Sequence, residues 1–381
     1  MTFFPRGRAT VAAPMPMAPP PMMSANMTSS ALRPAQPDTS GLLPTDRIRV
    51  CVVGGFSAVA PRHIEATVAH PATELAALVE PDEAKAERLR QQHPAIPVTD
   101  HVPAAPHDAG LAIVSVPDSA HAEVVIRCLD LGWHVLCEKP LTDDADVAAQ
   151  LFDHAERAGR YLAVAYQRRF MVDGLHQRIA DGAVGRLHCI NARWLRRAGH
   201  PDSRRGLVRR GHGVRGDLIP HLLSQTLSLL GPGPLTVQAR DWQVGDSWST
   251  EDVARLTARS GHQVELQIDV AYDAPHLDKS DDCWLEFHGT GGSIHAELPT
   301  HQDEQWAQAH PPMLYPRSGA PIALPALRST AQCHLLQLDH VVRAMGRGPA
   351  PAEERQRELA LVRTMAAAQV SALWQGPIIP V

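Results

Sequence analysis

The chain has 381 residues, of which 44% are hydrophobic and 20% charged, with a formal net charge of −5. This is the balance of a globular protein long enough for two domains, without the basic excess that nucleic-acid binding needs. No apolar run approaches the length of a membrane span, and the six cysteines are scattered without metal-finger spacing, which fits reduced thiols in a cytoplasmic setting.

Residues 1–46 are rich in Pro, Met, Ala and Ser, as in Ala18-Pro19-Pro20-Pro21-Met22-Met23. Such a segment has no regular apolar period, so a disordered extension is expected. Prolines interrupt its apolar part, which makes it a poor signal peptide, and Met23 or Met27 is an alternative start.

Ile48 to Val53 reads as a strand running into Gly54 and Gly55. A helix over 61–70, a strand over 74–80 and a helix over 82–93 follow. Leu111 to Val116 is a further buried strand, 120–131 a helix, Val135 to Cys137 a short strand, 143–158 a helix and 161–166 a strand. This alternation predicts parallel βαβ units with right-handed crossovers, forming a dinucleotide-binding domain over residues 47–166. The first strand–helix turn is the place for a pyrophosphate, where glycines let the backbone approach and the helix start faces the phosphates. The glycine spacing is incomplete. Counted from Gly54, the later positions fall on Phe56 and Val59; counted from Gly55, they fall on Ser57 and Ala60, and this second register is preferred because its residues are small. Read alone, the segment is equally an ordinary tight turn. Glu80 ends the second strand, where a carboxylate accepts bonds from a ribose diol and repels a 2′-phosphate, favouring NAD(H) over NADP(H). As a surface acid before Pro81-Asp82 it would need no such role. In the segment Pro117 to His121, the histidine either lines the cofactor cleft or simply begins a helix.

Only three lysines (Lys85, Lys139, Lys279) occur among the 36 Lys and Arg residues. Lys139 follows a short apolar strand within Glu138-Lys139-Pro140, just beyond the strand's carboxyl end, where open α/β sheets bind ligands. Pro140 bars the helical conformation at Lys139 and ends strand pairing. Lysine, unlike arginine, can be tuned to release its proton. A solvated lysine beside a turn is the ordinary alternative.

After Gln167-Arg168-Arg169-Phe170 the pattern changes. A helix over 172–182 and strands over 186–195, 234–243, 251–259, 262–272 and 282–288 predict a mostly antiparallel sheet with helices on one face, over residues 167–381. Helices over 331–346 and 354–374 close it, and the free sheet face is expected to pair with a second copy, giving a homo-oligomer. Asp217 and His221 are four apart and so share a helix face, with Pro220 accommodated in the first turn. A helix cap and a core histidine would give the same spacing. Residues 193–215 carry Arg193, Arg196, Arg197, Arg204, Arg205, Arg209, Arg210 and Arg215. A solvated loop or subunit contact carries more weight here than recognition of an anionic group. Asp278, Asp281 and Asp282 would suit a cationic aminosugar instead.

These residues together resemble the glucose-fructose oxidoreductase / inositol dehydrogenase / rhizopine-catabolism (Gfo/Idh/MocA) family. The likeness rests on the glycine-bearing first turn, Pro117 to His121, Glu138-Lys139-Pro140, Arg168-Arg169-Phe170, the Asp217 and His221 pair, and Gly289-Thr290-Gly291-Gly292-Ser293, and covers residues 47–374. It implies an N-terminal Rossmann domain, an antiparallel-sheet domain, and NAD(P)-dependent chemistry on sugars or cyclitols. It carries over Lys139, Asp217 and His221 as the catalytic set, with Pro117, His121, Glu138 and Arg168 on the cofactor side. Two positions depart from the usual Asp-x-Gly-x-His-x-x-Asp pattern: Ile219 replaces the glycine and Ser224 the final aspartate, which bears on substrate identity.

Hydride transfer at a carbinol carbon must be matched by proton transfer at its oxygen, and a positioned acid/base contributes roughly 10²–10⁴-fold. His221 is expected to titrate near neutrality, with Asp217 fixing its orientation. Lys139 is expected to polarise the carbonyl and stabilise alkoxide charge; the reverse assignment of the proton stays open. The leading expectation is a dehydrogenase or ketoreductase for a sugar, aminosugar or cyclitol. The alternatives are an NAD-assisted glycosidase and a non-catalytic dinucleotide-binding sensor. An export signal would speak for the first, and the incomplete glycine turn speaks for the second. Retention of Lys139, Asp217 and His221 together speaks against the sensor.

Overall fold

The first half of the chain alternates strands and helices in the expected order. In the computed structural model, which describes residues 47–105, 110–197, 213–231, 233–244, 250–274, 276–277, 281–300 and 303–381, strand β1 (Ile48–Val53) leads to helix α1 (Ala60–Ala69). Then follow β2 (Thr73–Val79), α2 (Glu83–Gln92), β3 (Val98–Thr99), β4 (Gly110–Val114), α3 (His121–Asp130), β5 (His134–Glu138), α4 (Ala145–Arg157) and β6 (Leu162–Ala165). All pairings in this sheet are parallel, in the order β3-β2-β1-β4-β5-β6. Every residue of β4, β5 and β6 is buried, as a strand covered by helices on both faces requires. Asp82 and Asp144 cap α2 and α4 by accepting backbone N–H groups, which fixes where those helices begin. The strand order reverses between β1 and β4, so a crevice opens beyond their carboxyl ends.

The second half contains α5 (Asp173–Ala180), β7 (Leu187–Arg197), α6 (Val214–Thr226), β8 (Leu235–Trp242), β9 (Val253–Ser260), β10 (Glu265–Ala274), β11 (Asp282–Gly289) and β12 (Gly292–Glu297). It ends with α7 (Glu304–Ala309), β13 (Met313–Pro316), β14 (Ile322–Ala323), α8 (Thr330–Met345), α9 (Ala352–Leu373) and β15 (Ile379–Pro380). Among the described residues nine strands form one sheet, β14-β13-β12-β11-β7-β10-β9-β8-β15, antiparallel except for the β7–β10 pair. Burial alternates residue by residue along β11, the signature of a sheet with one covered face. Helices α6 and α9 pack on this sheet, while α8 runs back to pack on α1. The extension over 1–46, Asp278, and Arg204, Arg205, Arg209 and Arg210 of the arginine-rich segment lie outside the described residues. No described helix is long and apolar enough to cross a membrane, and the six cysteines are free.

Candidate active site

One cavity of about 1200 Å³ runs from the β1–α1 turn to the α6 helix, and its wall includes Gly54, Ser57, Glu80, Lys139, Asp217 and His221. Gly54 adopts φ +82, and a methyl group built on it would lie 2.8 Å from the carbonyl oxygen of Ser115. Only glycine meets both demands. The glycine that the turn's backbone requires is Gly54, directly after β1. Gly55 and Ala60 pack inward, Gly55 toward Leu78 and Leu89 and Ala60 fully buried. Ser57 does line the cavity, and its hydroxyl oxygen accepts the Ala60 N–H at 3.2 Å. The N-cap residue of α1, Val59, makes no side-chain cap bond of its own, and Ala58 and Val59 border the cavity. The amino end of α1 therefore borders the cavity, where the helix dipole favours an anion.

Glu80 is 7% exposed and lies just past β2 on the cavity wall. Its carboxylate accepts the Asp82 N–H at 3.3 Å, and Lys85 Nζ stands 3.9 Å away. Pro117 also borders the cavity. His121 does not. It is fully buried, with Nδ1 2.6 Å from the Pro140 carbonyl and Nε2 3.0 Å from that of Val116. It braces the turn after β5 through the Pro140 carbonyl.

Lys139 is 5% exposed. Its Nζ donates to the Asp217 carbonyl at 2.9 Å and to Asp217 Oδ1 at 3.1 Å. Asp217 Oδ2 accepts from the Tyr272 hydroxyl at 2.6 Å and from Arg196 Nη1 at 3.3 Å. The expectation that Asp217 orients His221 is thus corrected, since these bonds hold Lys139. His221 packs on Trp194, with ring centroids 5.7 Å apart, and its buried Nδ1 has no hydrogen-bond partner among the described residues. Burial pushes its pKa well below the usual histidine range. Lys139, Arg168 and Arg196 add to the depression, and Asp217 only partly opposes it. This depression runs against the expectation that His221 titrates near neutrality.

Arg168 is 4% exposed, lies with its guanidinium 4.3 Å from the Trp194 ring, and donates to the carbonyls of Pro299 and Thr300. It walls the same end of the cavity as His221 and Trp194. Glu138 is nearly buried, with Oε1 2.8 Å from His63 Nε2 and Oε2 accepting the Lys139 N–H at 3.2 Å. Burial alone would raise its carboxyl, but the His63 contact and the nearby charges bring it below the usual range. The sequence reading missed Tyr272, Trp194 and His63. Trp194 and Tyr272 are at inward positions of β7 and β10, a parity the strand pattern contains, but nothing in it marks that Trp194 borders the cavity or that Tyr272 reaches Asp217.

Comparison with known proteins shows the family and the fold. Residues 48–166 match the family model described as an oxidoreductase family with NAD-binding Rossmann fold, and residues 172–295 match the GFO/IDH/MocA C-terminal domain. The chain is similar to D-glucoside 3-dehydrogenase of Escherichia coli (strain K12), 28% identical over 205 residues, covering 51% of this chain and 58% of that protein. It is also similar to scyllo-inositol 2-dehydrogenase (NADP(+)) of Bacillus subtilis (strain 168), 29% identical over 164 residues, covering 40% and 43%. The alignments thus span about half the length of the curated relatives. A solved structure of levoglucosan dehydrogenase, in complex with NADH and levoglucosan, has the same fold, with TM-score 0.73, 16% identity, and coverage of 88% of this chain and 99% of that one.

Proposed function

The chain belongs to the Gfo/Idh/MocA family of oxidoreductases, and on that premise we propose that it interconverts a hydroxyl and a keto group on a sugar, aminosugar or cyclitol, using NAD(H). The observation that carries this reading is that Lys139, Asp217 and His221 share one cavity with Gly54 and Glu80. The residues present fit a dinucleotide. Gly54 permits close backbone approach, the start of α1 on the cavity wall suits a pyrophosphate through the helix dipole, and Glu80 suits a ribose diol. Glu80 also supports NAD(H) over NADP(H), although the family relatives include an enzyme named for NADP(+). When bound, the nicotinamide supplies or accepts the hydride.

The chain's own side chains then account for the proton and the charge. His221, neutral at physiological pH, takes the proton from the substrate hydroxyl. Lys139, steadied by Asp217, donates to the same oxygen and stabilises alkoxide character as it develops. Asp217 is itself fixed by Tyr272 and Arg196, so the lysine is held in place before substrate arrives. Arg168 and Trp194 bound the space beside His221, where a ring bearing hydroxyl groups finds donors and an apolar face. Titration of the purified protein with NADH and NADPH tests the cofactor half of this reading. Quenching at lower NADH than NADPH is the expected result, and binding of neither would refute the reading.

A further inference from the structure

His63 is a buried histidine to which the proposed chemistry gives no part. It lies one turn into α1, is 3% exposed, and its Nε2 is 2.8 Å from Glu138 Oε1. The start of the same helix borders the cavity at Ser57, Ala58 and Val59. Glu138, the last residue of β5, uses its other oxygen to accept the Lys139 backbone N–H at 3.2 Å. A single carboxylate therefore joins α1 to the backbone of Lys139. His334 of α8 meets the His63 ring edge-on, with centroids 5.5 Å apart and planes at 76°. Its Nδ1 lies 2.9 Å from the Thr330 carbonyl, and Thr330 is itself on the cavity wall.

The chemistry of the pair favours one geometry. An ionised Glu138 only accepts, so the proton must sit on His63 Nε2. An apolar pair of equal volume would hold α1 against β5 without the desolvation penalty that a buried ionic pair carries. It would not fix direction, whereas a hydrogen bond to one carboxylate oxygen does. The helix is tied further along as well. The Thr67 hydroxyl donates to the His63 carbonyl at 2.8 Å, and the Thr73 hydroxyl donates to the Thr67 carbonyl at 2.7 Å, linking α1 to β2. A displacement of the α1 start thus reaches Glu138 through the His63 ring.

We propose that His63 and Glu138 are positioning residues that couple dinucleotide phosphates at the start of α1 to the placement of Lys139. This rests on the dinucleotide reading above. The test uses the whole chain labelled with [15N]lysine, in which its three lysines give three backbone amide signals; Lys139→Arg identifies the one from Lys139. The probe is ADP-ribose, which carries the pyrophosphate and lacks the nicotinamide ring. Saturation with ADP-ribose should move the Lys139 amide signal. In His63→Leu, which fills the space without a donor, calorimetry should still detect binding and the movement should be lost. In His63→Gln, whose side-chain amide can donate to Glu138, the movement should return. Binding that leaves the Lys139 signal unmoved in the unaltered protein, or moves it equally in His63→Leu, overturns the coupling alone. Failure of ADP-ribose to bind the unaltered protein overturns the coupling and the dinucleotide reading together.

Discussion

In the proposed reaction Lys139 matters because its ammonium is held rather than free, with two of its donors directed at Asp217. Removing one member of a buried ion pair commonly costs about 3–5 kcal/mol, because the other is stranded. Asp217 would not be stranded in Lys139→Met, since Arg196 and Tyr272 still donate to it. The variant is therefore expected to fold and to bind NADH, while steady-state turnover falls about a hundredfold or more. Turnover equal to that of the unaltered protein would remove Lys139 from the chemistry. This lysine was legible in the sequence because a lone lysine before proline at a strand end stands out in an arginine-rich chain. Its partners were legible less completely. The spacing of Asp217 and His221 places them on one helix face but says nothing of which group each side chain meets. The contacts of Asp217 with Tyr272 and Arg196 depend on register in the second sheet.

At the scale of elements, α1 and α8 pack together and bury two histidines, His63 and His334, each less than 5% exposed. Burial, aided by His63, pushes the His334 pKa down to about 4. A folded-state pKa below the unfolded value near 6.5 means that the unfolded chain binds the proton more readily. Its stabilising contribution is present above pH ~6.5 and lost as pH falls toward 4, on the order of 3 kcal/mol by the lower limit. Thermal unfolding followed from pH 7 to pH 4 should accordingly show a shallower decline in His334→Gln than in the unaltered protein. Identical slopes would contradict a neutral buried His334. Most elements of the parallel sheet were readable because their strands are continuous apolar runs between periodic helices. At the glycine turn the backbone sets a requirement at Gly54, through its φ and its approach to Ser115, which the spacing of the small residues Ser57 and Ala60 does not reveal. β3, β13, β14 and β15 escaped because two to four residues give no periodicity to detect.

For the molecule as a whole, the two sheets have different tasks at one crevice. The parallel sheet presents Gly54, Glu80 and Lys139 at strand ends, and the nine-stranded sheet with α6 presents Trp194, Asp217 and His221. The division into a doubly wound half and an antiparallel half was legible from where regular helices cease to alternate with strands. The parallel β7–β10 pair and the return of α8 to α1 were not, because both are long-range pairings with no local signature. The claim that joins the two halves is hydride transfer between a nicotinamide and a carbinol carbon. Its most direct test is to incubate the protein with NADH deuterated at C4 and a panel of keto-sugars and cyclitol ketones, then locate the label by mass spectrometry. The account predicts deuterium on the new carbinol carbon of at least one product, with the yield falling steeply in Lys139→Met. NADH that binds tightly yet passes no label to any member of the panel would contradict it.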